Sequence, residues 1–359
     1  MKIAQLTYSY RPIIGGADAY ADLLCSTLRG RDHEVWVYQR AAETDDPFVR
    51  AAPGWQARLR PRDFWLVPYW LRLRRGELRA MDALIAHYPN YCRAGYFHPR
   101  LIGLSHGVTW DDEPGAWRSQ QKRALAREAY RRCSRFVAND TFFLREVGVD
   151  IAPGEGAFQE VEPGRWFIPN CVDTVRFSPP DAPDQRAPLI TVPRNLYRNR
   201  GVHLAVEAFT RIAAEWPEWT MEIVGADGQA DYAAEVRALV RRLGLSDRVW
   251  FAGGVPWHAM APVYGRARVC LIPSLCGEGT SLAALEAMAC ATATVVTTAG
   301  GLPDLPAIHC DPSADALTQA LRKVLPGWRE AGQTQRAAVT AGFALEHWQA
   351  AWARVVEEW

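Results

Sequence analysis

The sequence predicts an α/β protein of two doubly wound domains, each a parallel sheet with helices on both faces. Three observations predict it. The chain has 359 residues, more than one hydrophobic core sustains, so two domains are expected. Short runs that are apolar throughout alternate with longer amphipathic segments from end to end, the pattern of strands buried on both faces beneath covering helices. Between the halves, residues 178–188 hold Pro179, Pro180, Pro183 and Pro188, and such proline density reads as an extended linker.

In the first half, strands are expected at 2–8, 34–39, 83–87, 101–105, 135–138 and 166–168, with helices over 17–28 and 120–133. In the second half, strands are expected near 189–192, 221–224, 249–252, 269–272 and 294–297. The first domain is placed at 1–177 and the second at 189–342, with a last helix, 343–359, packing back on the first. Two such sheets are expected to leave a cleft at the carboxyl ends of their strands, where ligands bind in this architecture.

Composition narrows the function. Hydrophobic residues make up 49% and charged residues 23%, a globular balance. A net charge of +1 supplies no field for nucleic acid, so that partner is not expected. The eight cysteines form no Cys-x-x-Cys pair and mostly sit in apolar runs such as Val269-Cys270-Leu271. They read as reduced, buried thiols, with neither zinc nor a disulfide framework. No charged segment followed by an apolar run opens the chain, and no apolar stretch reaches the length of a membrane span. A cytoplasmic protein is expected.

The stretch 269–304 is richest in chemistry. A strand ends in Pro273-Ser274, a loop follows through Cys276-Gly277-Glu278-Gly279-Thr280, and a helix covers 281–290 with Thr280 or Ser281 as its cap. Glycines on both sides of Glu278 leave its backbone open to a ligand. Glu286 lies eight residues on, two helical turns and about 80° round the wheel. Taken alone, Glu278 reads as a contact to the helix amino terminus and Glu286 as a solvated helix residue.

The neighbours change that reading. Glu278-Gly279-Thr280-Ser281-Leu282-Ala283-Ala284-Leu285-Glu286 resembles the Glu-x7-Glu signature of glycosyltransferase family 4, the large retaining group with the GT-B fold of two Rossmann-like domains. Gly300-Gly301-Leu302-Pro303-Asp304 matches the same pattern. The resemblance implies that Glu278 contacts the donor sugar and Glu286 the ribose hydroxyls, where charge-assisted hydrogen bonds are strong. Val192-Pro193-Arg194-Asn195-Leu196 and Arg200-Gly201-Val202 resemble the family's phosphate site. Arg194 and Arg200 would then clamp the pyrophosphate, with Arg200 standing where the family usually has Lys. Gly15-Gly16-Ala17-Asp18 resembles the family's Gly-Gly-x-Glu at a helix start, and paired glycines there expose N–H groups to an anion. His106, in Ser105-His106-Gly107, matches the family's acceptor-domain His. Ile168-Pro169-Asn170-Cys171-Val172-Asp173 is similar to its Pro-Asn-Gly-Val-Asp segment. Phe251-Ala252-Gly253-Gly254-Val255 matches a strand end lining the base pocket.

The resemblance covers nearly the whole chain. Departures are Pro193 for a glycine, Thr280-Ser281 for Phe-Gly, and Ala291 and Ala293 for the Gly and Pro after the helix. It implies retaining, metal-independent transfer of a hexose from a nucleotide sugar, UDP first and GDP second. The acceptor would be a glycan or lipid-linked molecule in cell-surface polysaccharide or glycoconjugate biosynthesis. No cofactor is expected. Glu278, His106, Arg194 and Arg200 form the expected catalytic set. Donor binding adds Gly15, Gly16, Gly253, Gly254, Gly279, Thr280, Ser281 and Glu286. A phosphorylase, an epimerase and a catalytically silent nucleotide-binding protein stay open as alternatives.

One further segment is unusual. Residues 58–75 hold six arginines against one acid, with four aromatics. Pro68 is expected in the first turn of a helix running to Arg75. Such a segment suits peripheral contact with an anionic membrane. Equally, Trp65, Trp70 and Leu73 suit a core, with the arginines lying over the surface.

Overall fold

The computed structural model of the chain describes every residue except 12, 14, 43, 60–62, 183 and 184. Arg60, Pro61 and Arg62 of the basic segment, and Pro183 and Asp184 of the proline-rich stretch, lie outside the described residues. The chain divides into two compact units, Met1–Pro169 with Trp348–Trp359, and Asn170–His347. The proline-rich stretch therefore lies inside the second unit, where Ala187 already opens a strand. Pro188 is tolerated there because pairing to the neighbouring strand begins only at Leu189, so its missing N–H removes no bond on that side.

In the first unit the strands are β1 (Lys2–Leu6), β2 (Glu34–Gln39), β3 (Val49–Ala51), β4 (Ala83–Ala86), β5 (Leu101–Ser105), β6 (Arg135–Ala138), β7 (Gln159–Glu162) and β8 (Arg165–Phe167). They form one sheet in the order β3-β2-β1-β4-β5-β6-β8-β7, parallel except for the β7/β8 pair. The helices are α1 (Gly16–Arg29), α2 (Asp63–Leu73), α3 (Arg75–Arg79), α4 (Pro89–Gly95), α5 (Trp117–Arg132) and α6 (Thr141–Val147). Pro68 lies inside α2 rather than in its first turn. The apolar spacing decides this: Val67, Trp70 and Leu71 are buried together, and that face outweighs the one hydrogen bond a proline removes. The helix ends at Leu73, short of Arg75, and Leu73 is 71% exposed, so it is not a core residue.

The second unit holds β9 (Ala187–Val192), β10 (Thr220–Val224), β11 (Val249–Gly253), β12 (Ala267–Ile272), β13 (Ala293–Thr297) and β14 (Ile308–Cys310). Their order is β11-β10-β9-β12-β13-β14, and every pair is parallel. Helices α7 (Val202–Ile212), α8 (Ala230–Arg242), α9 (Met260–Arg266), α10 (Leu282–Ala289), α11 (Ala314–Val324) and α12 (Trp328–Gly342) cover it. Strand alternation splits the core in two. Val269 and Leu271 join Phe209, Val236 and Leu321, while Cys270 and Ile272 join Tyr264, Leu285 and Met288. Both faces are apolar, which is why the strands read as continuous apolar runs. All eight cysteines are free, and six are buried.

The last helix, α13 (Leu345–Glu357), ends in the first unit. Trp352 Nε1 donates to Tyr20 Oη at 2.9 Å, and Arg31 grips Glu357 through Nε and Nη2 at 2.8 and 2.7 Å. The Arg31 guanidinium and His33 hold the Glu357 carboxyl down to about 2.

Ala291, directly after α10, adopts φ +55°, a left-handed conformation that an L-side chain occupies at a cost of about 1–2 kcal/mol. The family's usual residue in this slot is glycine. Arg186 secures the helix end by donating to the Cys290 and Ala291 carbonyls at 2.6 and 2.8 Å. Ala291→Gly should relieve more strain than its unfolded-chain entropy returns, a net gain of about 0.5–1 kcal/mol. Differential scanning calorimetry should show a melting point higher by roughly 1–3 °C. A fall would mean that the Ala291 methyl group packs productively.

Candidate functional site

In doubly wound sheets, ligands bind beyond the carboxyl ends of the strands where the strand order reverses. In the second unit that reversal lies between β9 and β12. The loop after β9 carries Arg194 and Arg200; the loop after β12 carries Ser274, Glu278 and Ser281. These residues meet. Glu278 is 5% exposed, and its Oε1 accepts from Ser274 Oγ at 2.8 Å and from Arg200 Nη1. Arg194 Nη2 stands 3.5 Å from the same oxygen and donates to Ser281 Oγ at 3.0 Å. Burial brings the Arg194 guanidinium down to about 10, which leaves it charged at neutral pH. Its Nε is buried with no partner. Two guanidiniums thus converge on one carboxylate, leaving the cluster with a net positive charge.

Two glycines allow these loops to close on each other. Gly201 has φ +63°, and a Cβ there would overlap the Pro273 carbonyl. Gly300 has φ +56°, and a Cβ there would overlap the carbonyl of Glu278 itself. Ser281, rather than Thr280, caps α10, accepting from Ala284 N at 3.4 Å. Thr280 instead fastens the chain at Asn170, whose N–H donates to its Oγ1 at 2.8 Å.

Glu286 lies apart from that cluster and is not solvated: it is 4% exposed. Its Oε1 accepts from Trp257 Nε1 at 2.7 Å and its Oε2 from Tyr264 Oη at 2.8 Å. Trp257 is 42% exposed, with the Arg176 guanidinium 4.0 Å above its ring. Gly253 ends β11 and Gly254 follows it, with Gly253 at φ +76° and open space where its Cβ would lie.

In the first unit the reversal lies between β1 and β4. Gly15 caps α1 with its N–H on Asp18 Oδ2 at 3.1 Å, and Gly16 opens the helix. His106, after β5, is partly buried, and burial lowers it to about 4, so the ring is neutral at physiological pH. Its Nε2 lies 3.2 Å from Nδ1 of His87, a fully buried ring whose Nε2 lies 2.7 Å from Gln5 Oε1. Tyr20 meets His106 edge-on at 4.9 Å between centroids.

Sequence reasoning missed Ser274, Trp257, Tyr264, His87 and Gln5. His87 closes an expected strand and Gln5 interrupts an apolar one, so both carried a signal: a polar side chain where the strand pattern calls for an apolar one.

Residues 187–326 match the family described as Glycosyl transferases group 1, and residues 14–149 match Glycosyltransferase Family 4. The chain belongs to the group 1, family 4 glycosyltransferases. Among curated relatives it is 26% identical to a GDP-mannose-dependent alpha-(1-6)-phosphatidylinositol monomannoside mannosyltransferase of Mycolicibacterium smegmatis, across 96% of this chain and 94% of that one. It is 29% identical to the lipopolysaccharide core biosynthesis mannosyltransferase LpcC of Rhizobium leguminosarum, across 59% of this chain and 65% of that one. Sucrose-phosphate synthase from Thermosynechococcus elongatus shares the fold with a TM-score of 0.78 at 20% identity, covering 99% of this chain and 98% of that one. HepE of Anabaena, solved with UDP and glucose, shares it at 0.77 and 18% identity across the whole of both chains. This glycosyltransferase therefore has the GT-B fold. Among its described residues, no helix is long and apolar enough to cross a membrane.

Burial also pushes the Glu286 carboxyl up to about 7, against the pull of its two donors and Arg176. A carboxyl raised above its unfolded value binds its proton more tightly when folded, so stability falls as pH rises from about 4.5 to about 7 and is level beyond. Glu286→Gln should remove that slope. Denaturant titrations should find the variant more stable than wild type at pH 8 by roughly 2–3 kcal/mol, and no more stable at pH 4. Parallel profiles for the two proteins would place the titration elsewhere.

Proposed function

We propose that this glycosyltransferase moves a hexose from a nucleoside diphosphate sugar to a glycan or lipid-linked acceptor, retaining the anomeric configuration and using no metal. The observation that carries this reading is the convergence of Arg194, Arg200 and Glu278 at the strand-order reversal of the second unit. In this reading the pyrophosphate draws both guanidiniums to itself, and Glu278, released from Arg200, accepts from hydroxyls of the donor sugar. The amino terminus of α10 adds a favourable dipole beneath Ser281. Glu286 takes the ribose hydroxyls, and Gly253 and Gly254 line the base. Gly15 and Gly16 keep a part in donor binding, with Gly279 and Thr280 shaping the loop around Glu278. Two fixed cations stabilise charge growing on the leaving group, the role a divalent ion fills in other transferases.

His106 orients the acceptor. At about 4 its ring is a weak base at neutral pH, which fits a reaction in which the acceptor hydroxyl attacks from the leaving-group side and passes its proton to a phosphate oxygen. Sequence reasoning places UDP first among donors. The mannosyltransferase matched along nearly the whole chain is GDP-mannose-dependent, so GDP-mannose is the first donor to assay and UDP-glucose the second. The lipid-linked or lipopolysaccharide acceptors named for both curated relatives support cell-surface glycoconjugate synthesis.

Contact with an anionic membrane through 58–75 belongs to the same reading. Tyr69 and Leu73 are 63% and 71% exposed and Arg72 is exposed beside them, while Trp70 belongs to the core. Each basic residue at an anionic surface adds about 1 kcal/mol.

Two measurements test the proposal. At a hundred times its dissociation constant, the true donor nucleotide should add about 2.7 kcal/mol of stability, most of it lost in Arg194→Ala. Glu278→Ala should abolish most turnover yet leave GDP or UDP affinity equal or higher, because the phosphate arginines lose their competitor. If no nucleotide shifts the melting point, the function is misassigned. The membrane reading is decided by flotation with anionic vesicles at low salt, where the wild type should float and Arg72→Glu combined with Arg74→Glu should not. A wild type that stays in the soluble fraction removes the membrane from the proposal.

A further inference from the structure

Gln5 is a fully buried amide in β1, a position the strand pattern assigns to an apolar side chain. Its Nε2 has no partner, and an unpaired buried donor is a standing cost. Only its oxygen is used, and what it holds is His87. That ring spends both nitrogens: Nε2 on Gln5 Oε1 at 2.7 Å, and Nδ1 on His106 Nε2 at 3.2 Å.

The hydrogens along this chain follow from the donor inventory. An amide oxygen only accepts, so His87 Nε2 carries a hydrogen. Burial lowers His87 well below its usual range, and a neutral imidazole has one N–H. Nδ1 of His87 is therefore bare, and the hydrogen between the rings belongs to His106 Nε2. His106 is neutral as well, so its remaining nitrogen, Nδ1, keeps an open lone pair. Tyr20, edge-on at 4.9 Å, and Tyr88, tilted at 5.5 Å, hold the ring plane. Turning the Gln5 amide over would present a donor to His87 and reverse every hydrogen in the chain. The state of His106 is set at one atom two hydrogen bonds away.

We propose that Gln5 and His87 are positioning residues that lock His106 in the tautomer with its hydrogen on Nε2, so that its bare Nδ1 accepts a hydrogen bond from an acceptor hydroxyl other than the one that attacks. The inference rests on the reading that His106 serves the transfer. It also explains why a costly buried amide stands in β1. The opposite tautomer would offer an N–H and hold that hydroxyl by its oxygen instead, turning the acceptor and with it the hydroxyl that attacks.

The test combines spectroscopy with kinetics. Two-bond proton–nitrogen correlation spectra of ¹⁵N-histidine-labelled protein, without ligand, report which His106 nitrogen is protonated. Nε2 protonated with Nδ1 bare is the expected result; the reverse, or an even mixture, overturns the proposal. Gln5→Leu removes the acceptor and frees His87 to change tautomer. His106 should then lose its single signature, and kcat should fall about ten-fold, the worth of one hydrogen bond, with the donor KM within about two-fold. An unchanged signature with unchanged kcat also overturns it. If Gln5→Leu fails to fold, the wild-type spectrum alone decides. A wild type that transfers no sugar from any donor would defeat the functional reading, while the spectra would still settle the tautomer.

Discussion

The buried carboxylate of Glu278 is the constraint on which the rest of the second unit's site depends. A carboxylate removed from water is tolerated only when cations and donors replace its hydration. Here Arg200, Ser274 and Arg194 do so, delivered by two loops, one after β9 and one after β12. Gly201 and Gly300 let the backbone approach there without side-chain overlap. The three charged groups are therefore one unit: the carboxylate makes two close guanidiniums tolerable, and the guanidiniums make the carboxylate tolerable. In the proposed reading, an anionic ligand that competes for the arginines releases Glu278 at the same moment, which couples phosphate binding to sugar binding within this unit.

The first unit solves a different problem. Its reversal point holds two neutral imidazoles and an amide rather than opposed charges. Neutral groups survive burial more cheaply than ions, but they must be ordered donor to acceptor along the chain, and one misdirected hydrogen propagates to the end. One sheet thus supplies charge and the other direction. In the proposed reading the charged set takes the donor and the neutral set orients the acceptor.

Departures from the family pattern are absorbed locally. Arg200 in place of lysine keeps the cation and reaches Glu278 through Nη1. Ala291 in place of glycine keeps the left-handed turn at the cost of strain, while Arg186 ties down the adjoining carbonyls. Cys171 in place of glycine is simply buried. None of these changes touches the strands, so the fold is indifferent to them.

The sequence by itself determined the architecture, because uninterrupted apolar runs between amphipathic segments can only be buried parallel strands. It also brought forward Arg194, Arg200 and Glu278, which the structure gathers at one strand-order reversal, and His106, which it places after β5 of the other sheet. The edge strands β3, β7 and β14 escaped it, being three or four residues long and, in β7, largely polar. Pro68 misled it, since burial of Val67, Trp70 and Leu71 outweighs a proline's local preference. The proline-rich stretch misled it too, because prolines mark where a chain is extended rather than which unit it packs against. Only the tertiary structure decided who partners whom. Gln5 and His87 are 82 residues apart, as Trp257 and Glu286 are 29 apart. No local pattern records such pairs, because they exist only once parallel strands bring distant carboxyl ends to one edge.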